Sequence, residues 1–541
     1  MPRMTTAEAL VESLIQHGLD TVYGLPGMHH DPLFDAFYHA RNRLRVIHTR
    51  HEQSAAYMAL GASLVTGLPQ AYAVVPGPGF LSSGAALLTA YGMNTPVLAL
   101  IGQIPLNDID RAHGHLHEIH DQIGIARHFT KFAARIGAPH EAPWLVRDAL
   151  RSACSGRRRP VFLECPFDVW PRKGEVSFPV ISTERDEPPV DPDAVENAAK
   201  ILGAAKKPLI VVGGGAQDAS AEVTAIAEML EAPVIAYRRG RGVVSDRHRL
   251  SVTIPIGHRL WADADAVLAI GTRLHMQQSD WGVDAELKIV RVDIDPEEPS
   301  RFHRPAVALV GDAKTYVGAL LDRVPAHNAK RSPRTDELAG HRAWLAEKLA
   351  KLQPQMGFVE AIRRALPEDG IFVDEVTQMG FAARLGLPVY EPRTFLSPGY
   401  QDNLGWGYGT ALGAKAAKPN TPVLAIAGDG GFLYQVGELA TAAQHKLAVI
   451  LVVFDNNAYY NVRRVQQEQF GGRIIAADLV NPDFVKLAES FNIAAFRART
   501  PAELETSIKE ALALNAPALI HVPHGDTASP WSMLRMPRAR P

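Results

Sequence analysis

The sequence has little cysteine, almost no net charge and no long apolar run. Cys154 and Cys165 are the only cysteines among 541 residues, which excludes a disulfide framework, and their spacing is not that of a zinc site. The formal net charge of −2 gives no electrostatic reason to bind nucleic acid or an anionic membrane. No apolar run approaches the ~20 residues that a membrane-spanning helix needs. We therefore expect a cytoplasmic protein that acts on small molecules and binds neither nucleic acid nor membranes.

The sequence does contain a regular alternation of buried strands and helices. Hydrophobic residues make up 47% of it and charged residues 21%, as in ordinary globular enzymes. A chain of 541 residues is too long to fold around a single hydrophobic core. We therefore predict an α/β protein of three doubly wound, parallel-sheet domains, which cover residues 1–180, 190–325 and 350–530. The acidic, proline-rich residues 184–194 predict a linker, and residues 331–354 predict a charged connecting helix.

The most informative stretch is a strand–helix–strand unit in the last third of the chain. Residues 423–427 predict a buried strand, and the following Gly428-Asp429-Gly430-Gly431 predicts a turn without regular structure. We predict a helix over 433–445 and a second buried strand over 449–454, which runs into Asp455-Asn456-Asn457. An acidic residue therefore follows one strand, and amides follow the next.

The residues at these two strand ends suit one kind of chemistry. Ligands in open α/β sheets bind outside the carboxyl ends of the strands, and glycines there let the backbone approach a phosphate. Mg²⁺ prefers one or two protein oxygens together with phosphate oxygens and water. Asp429 and Asn456 can therefore hold one cation against a diphosphate, although a Gly-Asp-Gly sequence by itself also describes a simple capped turn.

The pairing of Gly-Asp-Gly with a downstream Asn-Asn resembles the cofactor motif of the thiamine-diphosphate-dependent decarboxylase and acetolactate synthase superfamily. In that family the Asp, an Asn and the backbone carbonyl two residues after that Asn bind Mg²⁺. The resemblance maps these ligands to Asp429, Asn456 and the carbonyl of Ala458. A one-residue shift to Asn457 is the alternative, but Asn456 keeps Tyr459-Tyr460 in register with the family's Tyr-Gly, with a tyrosine replacing the glycine.

The first third of the chain carries a second part of the resemblance. A helix is predicted to begin at Glu52, and the small residues along one face of it predict close packing. This segment resembles the family's activating-glutamate segment, whose carboxyl group protonates the aminopyrimidine ring of the cofactor. A glutamate in a first helical turn is otherwise only a favourable dipole partner. The turn Gly77-Pro78-Gly79 also resembles a family segment, although Leu81-Ser82 replaces the usual Thr-Asn.

Histidines cluster in two segments of the same domain. His29 follows a Gly-Leu-Pro-Gly turn, and His117 lies in the histidine-rich residues 113–120, where related enzymes often carry a glutamine. Histidine suits proton transfer near neutral pH, so His29 and His117 are candidates for catalysis or substrate contact. A metal site and a solvated loop are the alternatives, and the spacing fits a loop better than a set of ligands.

The resemblance also implies the remaining cofactor contacts. In relatives the positions of Thr377 and Gln378 contact the diphosphate, and a bulky apolar residue at the position of Leu404 bends the cofactor. The residues implied to bind the cofactor are Pro26, Gly27, Thr377, Gln378, Leu404, Gly428, Gly430, Gly431 and Tyr459.

The middle third shows no convincing nucleotide signature. Gly213-Gly214-Gly215 follows a predicted strand but lacks the G-x-G-x-x-G spacing. The family's central domain holds FAD in acetolactate synthases, and nothing or a nucleotide effector in many relatives. We expect no FAD here and a structural role for this domain.

The resemblance implies the architecture of the site and its reaction. The first domain binds the pyrimidine and the third binds the diphosphate and Mg²⁺, and the two halves come from different subunits of a homodimer or homotetramer. The implied reaction is decarboxylation of a 2-oxo acid with carboligation to a second carbonyl, as in acetolactate synthase. Simple decarboxylation, of the benzoylformate or branched-chain type, and cleavage of 2-hydroxy ketones are the alternatives. A nicotinamide dehydrogenase would need a dinucleotide-binding fingerprint followed by an acidic residue, which the sequence lacks. The presence of Glu52, Asp429 and Asn456 argues against a non-catalytic binding protein.

Overall fold

The computed structural model describes residues 1–180 and 188–541, so part of the predicted linker at 184–194 lies outside the described residues. Three six-stranded sheets follow one another along the chain, and every strand pair within them is parallel. Helices cover the faces of these sheets, as the connections between parallel strands require. This architecture confirms the predicted α/β class with three parallel-sheet domains, whereas the predicted domain boundaries stay predictions.

The first and third sheets share one strand order. Each places its second strand in sequence at one edge, followed by its first, third, fourth, sixth and fifth. In sheet order, the strands of the first sheet are Arg45–His48, Thr21–Gly24, Gln70–Val74, Val97–Gln103, Val161–Pro166 and Ala133–Arg135. Those of the third sheet are Phe395–Leu396, Ile371–Val373, Val423–Gly428, Val449–Asp455, Ala518–Pro523 and Ala494–Arg497.

The central sheet has a different order, in which the first three strands are reversed and the last three run on in sequence. This is the order of doubly wound nucleotide-binding folds. Its strands, in sheet order, are Ser251–Val252, Val234–Ala236, Pro208–Val212, Ala266–Ile270, Lys288–Asp293 and Val307–Val310. A separate two-stranded antiparallel sheet pairs Arg3–Thr5, at the start of the first domain, with Lys173–Glu175, near the end of that domain.

The helices alternate with these strands. Those of the first domain are Thr6–Gln16, Asp31–His39, Glu52–Thr66, Pro78–Gly92, Gln122–Arg127 and Ala142–Cys154. The central domain has Pro192–Ala204, Ser220–Leu230, Ile254–Trp261 and Ala313–Arg323, and the predicted connecting helix spans Thr335–Leu349. The third domain has Gln355–Ala365, Gln378–Gly386, Gly407–Ala417, Asp429–Phe432, Glu438–His445, Tyr460–Gln469, Phe484–Ser490, Pro501–Leu514 and Trp531–Leu534. None of these described helices is long and apolar enough to cross a bilayer.

Two predictions around the Gly-Asp-Gly-Gly turn are wrong in detail. A short helix, Asp429–Phe432, forms where no regular structure was expected, because the strand passes directly into a helical turn at Asp429. The helix predicted over 433–445 is regular only over Glu438–His445. Gly437 precedes it, and glycine is a poor helix former, so the chain before it folds as a separate tight turn, Leu433–Gln435.

The first and third domains pack through the helices Glu52–Thr66 and Gly407–Ala417. A Cβ atom on Gly61 would lie 2.0 Å from the Thr410 carbonyl oxygen. A Cβ atom on Gly413 would lie 1.9 Å from the Met58 carbonyl oxygen. The two helix backbones therefore touch, which confirms the close packing predicted from the small residues and which any larger side chain would prevent.

We expect Gly61→Ala to lower the free energy of unfolding by about 1–3 kcal/mol or more, because the added methyl group meets backbone atoms that no rotamer change can move. Thermal unfolding followed by circular dichroism measures this. Gly318→Ala, in a helix where a Cβ atom meets nothing within 4 Å, is the matched control and should leave the unfolding midpoint unchanged or raise it slightly. Equal midpoints for Gly61→Ala and the wild type would contradict the packing.

Candidate active site

One group of predicted residues meets at the carboxyl ends of the first sheet. Cβ atoms on Gly27 and Gly79 would lie 2.5 and 2.6 Å from the two γ-methyl groups of Val75. The same Cβ atom on Gly79 would lie 3.5 Å from the carboxylate oxygen Oε1 of Glu52. Gly27, Val75, Gly79 and Glu52 therefore form one continuous surface, while Pro26, next to Gly27, is exposed.

His29 and His117 form a stacked pair beside this surface. Their ring centroids are 5.1 Å apart, and His29 Nε2 lies 3.0 Å from the Leu116 carbonyl oxygen. The Nδ1 atoms of both rings are buried and have no hydrogen-bond partner among the described residues. Burial, together with the nearby His117, lowers the pKa of His29. The structure thus brings together the two histidines that sequence reasoning singled out.

A buried polar network that sequence reasoning missed holds the turn beneath these residues. Gln122 Oε1 accepts a hydrogen bond from the Gly77 backbone N–H at 3.0 Å, and Gln122 Nε2 donates to Glu164 Oε2 at 2.8 Å. Arg135 pairs with Glu164 at 2.6 Å. Burial raises the pKa of Glu164, and the charge of Arg135 opposes that shift. No periodicity signals this network, because its members come from separate elements.

A second group of predicted residues meets at the carboxyl ends of the third sheet. The Ala458 backbone N–H donates to Asp429 Oδ2 at 3.2 Å. Asn481 Nδ2 donates to Asp429 Oδ2 at 2.8 Å and to Asp455 Oδ1 at 2.9 Å, and it lies 3.4 Å from Asn457 Oδ1. Asn481 therefore joins both strand ends, although sequence reasoning did not identify it, because it lies in a distant loop.

The pKa values of the two carboxyl groups in this group, Asp429 and Asp455, are shifted in opposite directions. Burial raises the pKa of Asp429. Burial also opposes ionisation of Asp455, but hydrogen bonds from His521, from the Asn457 N–H and from Asn481 lower the pKa of Asp455 to about 2. His521 Nε2 lies 2.9 Å from Asp455 Oδ2. Sequence reasoning missed His521 as well, since only strand register brings it beside the neighbouring strand's end.

At the turn that begins at Gly428, neighbouring side chains pack closely against the glycines. A Cβ atom on Gly430 would lie 2.4 Å from the Tyr459 ring, and one on Gly428 would lie 3.4 Å from the Thr377 methyl group. Thr377 Oγ1 accepts from the Gly380 N–H at 2.8 Å and so caps the helix Gln378–Gly386. The Gln378 side chain at the start of this helix is buried, and its Oε1 has no partner among the described residues.

Glu375 supports the segment that contains Leu404. Its Oε1 accepts from the Gly405 N–H at 2.7 Å, and Gly431 lies on the other side of the same carboxyl group, where a Cβ atom would be 3.2 Å from Oε1. Burial raises the pKa of Glu375 to about 8. Leu404 is half-buried directly before this anchor, so its position relative to the glycine turn is fixed.

These residues fit thiamine diphosphate and Mg²⁺ chemically. Asp429, Asn456 and the Ala458 carbonyl offer only oxygen ligands, which is the donor set that Mg²⁺ prefers. Gly428, which is half-buried at the start of the helix Asp429–Phe432, has no side chain that would keep a diphosphate from the backbone there. Asn456 is half-buried, whereas the alternative ligand, Asn457, is exposed, has a left-handed backbone and faces Asn481.

The two groups remain separate within one chain. Among the described residues, no hydrogen bond or ion pair joins a predicted site residue of the first domain to one of the third. Thr410 contacts Gly61 and Met58 contacts Gly413, so the two contacting helices run in opposite directions. These closest backbone contacts lie within the two helices and involve none of the predicted site residues.

A cavity of about 850 Å³ opens at the carboxyl ends of the central strands. Gly213, Gly214, Thr272 and Ile294 line it, as do arginines of all three domains: Arg157, Arg158, Arg238, Arg239, Arg273, Arg384, Arg393 and Arg535. None of the residues predicted to bind thiamine diphosphate lines this cavity. The expectation that the central domain holds no FAD stays a prediction.

The fold defines a class of α/β protein in which two sheets of the same strand order each carry a candidate ligand site at their carboxyl ends. Three family models match the chain in order: the N-terminal thiamine pyrophosphate binding domain over residues 4–125, the central domain of the same enzymes over 195–320, and their C-terminal thiamine pyrophosphate binding domain over 375–522.

Several curated proteins are similar to the chain over nearly its whole length. A probable 2-ketoarginine decarboxylase of Pseudomonas aeruginosa is 32% identical over 533 residues, which cover 96% of this chain and 94% of that protein. A probable acetolactate synthase large subunit of Methanocaldococcus jannaschii is 32% identical, covering 96% and 92%. The acetolactate synthase large subunit of Corynebacterium glutamicum is 30% identical, covering 98% and 88%.

The chain therefore belongs to the superfamily of thiamine-diphosphate-dependent enzymes. This confirms the predicted family, the enzymatic nature of the protein and thiamine diphosphate as its cofactor. The roles of the individual site residues stay predictions.

We expect Gly430→Ala to weaken thiamine diphosphate binding, because the added methyl group would push the Tyr459 ring and distort the turn. An overpacking cost of about 1–3 kcal/mol corresponds to roughly a 5- to 150-fold higher Kd. Quenching of tryptophan fluorescence by the cofactor, with Mg²⁺ present, measures it. Gly525→Ala, where a Cβ atom meets nothing within 4 Å, should bind like the wild type. An unchanged Kd for Gly430→Ala would show that the turn does not contact the cofactor.

Proposed function

We propose that the protein decarboxylates a 2-oxo acid and then protonates the carbon that has lost CO₂, so that an aldehyde is released. The stacked pair of His29 and His117 carries this proposal. Sequence analysis favours carboligation instead, as in acetolactate synthase. The buried histidine pair shifts the balance, because protonation needs a proton donor at the site whereas addition to a second carbonyl needs room for an acceptor.

The proposed roles divide between the two domains. Bound thiamine diphosphate supplies the carbanion and the electron sink for decarboxylation. Asp429, Asn456 and the Ala458 carbonyl hold the Mg²⁺ that anchors the diphosphate. Glu52 would present its carboxyl group to the aminopyrimidine of the bound cofactor, and Leu404 would pack against the cofactor.

The environment of His29 suits it to proton transfer. Its Nε2 is occupied by the Leu116 carbonyl, whereas its Nδ1 and that of His117 are free of partners among the described residues. Because burial lowers the pKa of His29, its protonated form is a stronger acid than ordinary imidazolium. A proton that enters this pair is therefore readily given up to a basic carbon.

Carboligation is the second candidate. The acetolactate synthases of Methanocaldococcus jannaschii and Corynebacterium glutamicum are as similar to the chain as the 2-ketoarginine decarboxylase is, within a few per cent identity. Both of these relatives are named for the synthesis of acetolactate, and this candidate would extend that reaction to the present chain.

We further propose a cytoplasmic homo-oligomer, a dimer or tetramer, whose sites lie between subunits. Within one chain, no hydrogen bond or ion pair among the described residues joins the predicted site residues of the two domains, which supports completion of each site by a second copy. The helix Pro78–Gly92, which begins at the first-domain site, exposes Leu81 and Leu88, an apolar face suited to such a contact.

The first experiment identifies the products. Enzyme with thiamine diphosphate and Mg²⁺ receives pyruvate, benzoylformate, a branched 2-oxo acid or 2-ketoarginine, and mass spectrometry identifies what forms. We expect CO₂ and an aldehyde from the preferred substrate. His29→Asn and His117→Asn should each slow aldehyde release by about 10²- to 10⁴-fold, as expected for loss of a general acid, while substrate consumption continues to a bound intermediate.

The exposed His39 provides the matched control, because His39→Asn removes an imidazole from the same domain away from the pair. A 2-hydroxy ketone as the main wild-type product would replace the proposal with carboligation. Full aldehyde release by both histidine variants would remove the pair from the reaction.

Glu52→Gln should retain most thiamine diphosphate binding but lose hydrogen–deuterium exchange at C2 of the bound cofactor, because an amide cannot supply the activating proton. Quenched-flow NMR of the exchange measures this. Glu12→Gln, which removes a carboxylate that pairs with Arg43 on the surface, should exchange at the wild-type rate. Undiminished exchange in Glu52→Gln would assign the activating role to another group.

A further inference from the structure

A group of metal-ligating side chains lies outside the thiamine diphosphate site, in the loop after the strand Val97–Gln103. Asp108, His113 and His115 each place one ligand atom within 4.8 Å of the others. His113 Nδ1 lies 3.2 Å from Asp108 Oδ1, and His115 Nε2 lies 3.2 Å from Asp108 Oδ2. One carboxylate thus faces two imidazole rings.

These distances suit a tetrahedral metal ion. Nitrogen and oxygen ligands at about 2.0–2.2 Å from zinc stand roughly 3.3–3.5 Å apart at the corners of a tetrahedron. Each imidazole nitrogen lies 3.2 Å from a different oxygen of the Asp108 carboxylate, which is close to that spacing, and one ligand atom from each residue lies within 4.8 Å of the others. Two histidines and one carboxylate also leave a corner open for water, and the partial exposure of all three side chains gives an ion access from solvent.

The backbone holds both histidines in place before any ion arrives. The Glu118 carboxylate accepts the backbone N–H groups of His113, Gly114 and His115 at 3.2, 2.6 and 2.9 Å. Little conformational entropy is then lost when the histidines bind an ion. An accidental approach of mobile surface side chains would not require such a cradle.

The carboxylate is anchored independently of the histidines. Asp108 ends the short turn of helix Leu106–Asp108, and the first N–H of that turn donates to Asp168 Oδ1 at 2.8 Å. The Arg111 N–H donates back to the Asp108 carbonyl at 3.2 Å. The ligands therefore come from two separately fixed pieces of one loop, which an ion would join.

We propose that Asp108, His113 and His115 bind one Zn²⁺ ion, or a chemically similar first-row divalent ion. The imidazole ligands select against Mg²⁺, which prefers oxygen, so this site differs in chemistry from the diphosphate site. The ion clamps the loop immediately before His117 and so fixes that ring against His29.

The test uses the full chain with saturating thiamine diphosphate and excess Mg²⁺, after treatment with a chelator. Zn²⁺ is titrated in competition with a chromophoric chelator, and Co²⁺ is added separately to read its visible d–d absorption. The wild type should bind one Zn²⁺ per chain and give an intense tetrahedral Co²⁺ spectrum. His113→Asn/His115→Asn should bind about 10-fold or more weakly, since losing even supporting groups costs metal sites that much.

His120→Asn is the matched control, because His120 lies in the same segment but faces Asp110, with Nδ1 3.4 Å from Asp110 Oδ1. It should retain wild-type Zn²⁺ affinity and the Co²⁺ spectrum. Equal Zn²⁺ affinity in the wild type and the double variant would overturn the proposal. If the double variant does not fold, Asp108→Asn, which preserves the shape of the side chain, should show the same loss.

Discussion

The contact between two helix backbones, at Gly61 and Gly413, is the constraint on which the rest of the molecule depends. Only hydrogen fits at these positions, so the first and third domains can approach no closer and cannot slide along each other. The Arg50 N–H donates to the buried Glu438 carboxylate at 3.1 Å, which fixes the relative position of the two domains at a second point. Glu52 follows two residues after Arg50, so the placement of the Glu52 carboxyl group is a direct consequence of interdomain packing. A displacement there would move it relative to any cofactor held nearby.

Buried charges connect the third domain to the central one and support the segment that contains Leu404. Arg384 pairs with Asp374 at 2.6 Å and with Asp402 at 2.8 Å, and Arg238 of the central domain reaches Asp402 at 2.9 Å. Such pairs add little net stability, because desolvation offsets the attraction, but breaking one leaves an unpaired buried charge. Their value lies in geometry. Asp374 follows the strand Ile371–Val373 and directly precedes Glu375, so the same network sets the position of the carboxyl group that holds the backbone beside Leu404.

Sequence reasoning succeeded where the signal is local. The apolar run at 423–427 becomes the strand Val423–Gly428, and the acid and amides after it fall at adjacent strand ends, because parallel register follows from hydrophobic periodicity. It failed where contacts join distant segments. Asn481 donates to both Asp429 and Asp455 from a loop that has no periodic pattern, and His521 reaches Asp455 only through strand pairing. The turn at Asp429 shows a third limit, since four residues are too few for a periodic pattern to reveal a helix.

The backbone at His117 explains why the histidine pair is a built feature rather than a chance contact. Its φ of 64° lies in the left-handed region, which costs a non-glycine residue about 1 kcal/mol or more. The conformation persists because surrounding groups determine it. A Cβ atom on Gly77 would lie 2.4 Å from the His117 carbonyl oxygen, so the lack of a side chain at Gly77 makes room for that carbonyl group. Gln122 in turn fixes the Gly77 N–H. A strained residue held by a buried network, with its ring stacked on His29, has its orientation set on folding, and this is the preorganisation that the proposed proton transfer would require.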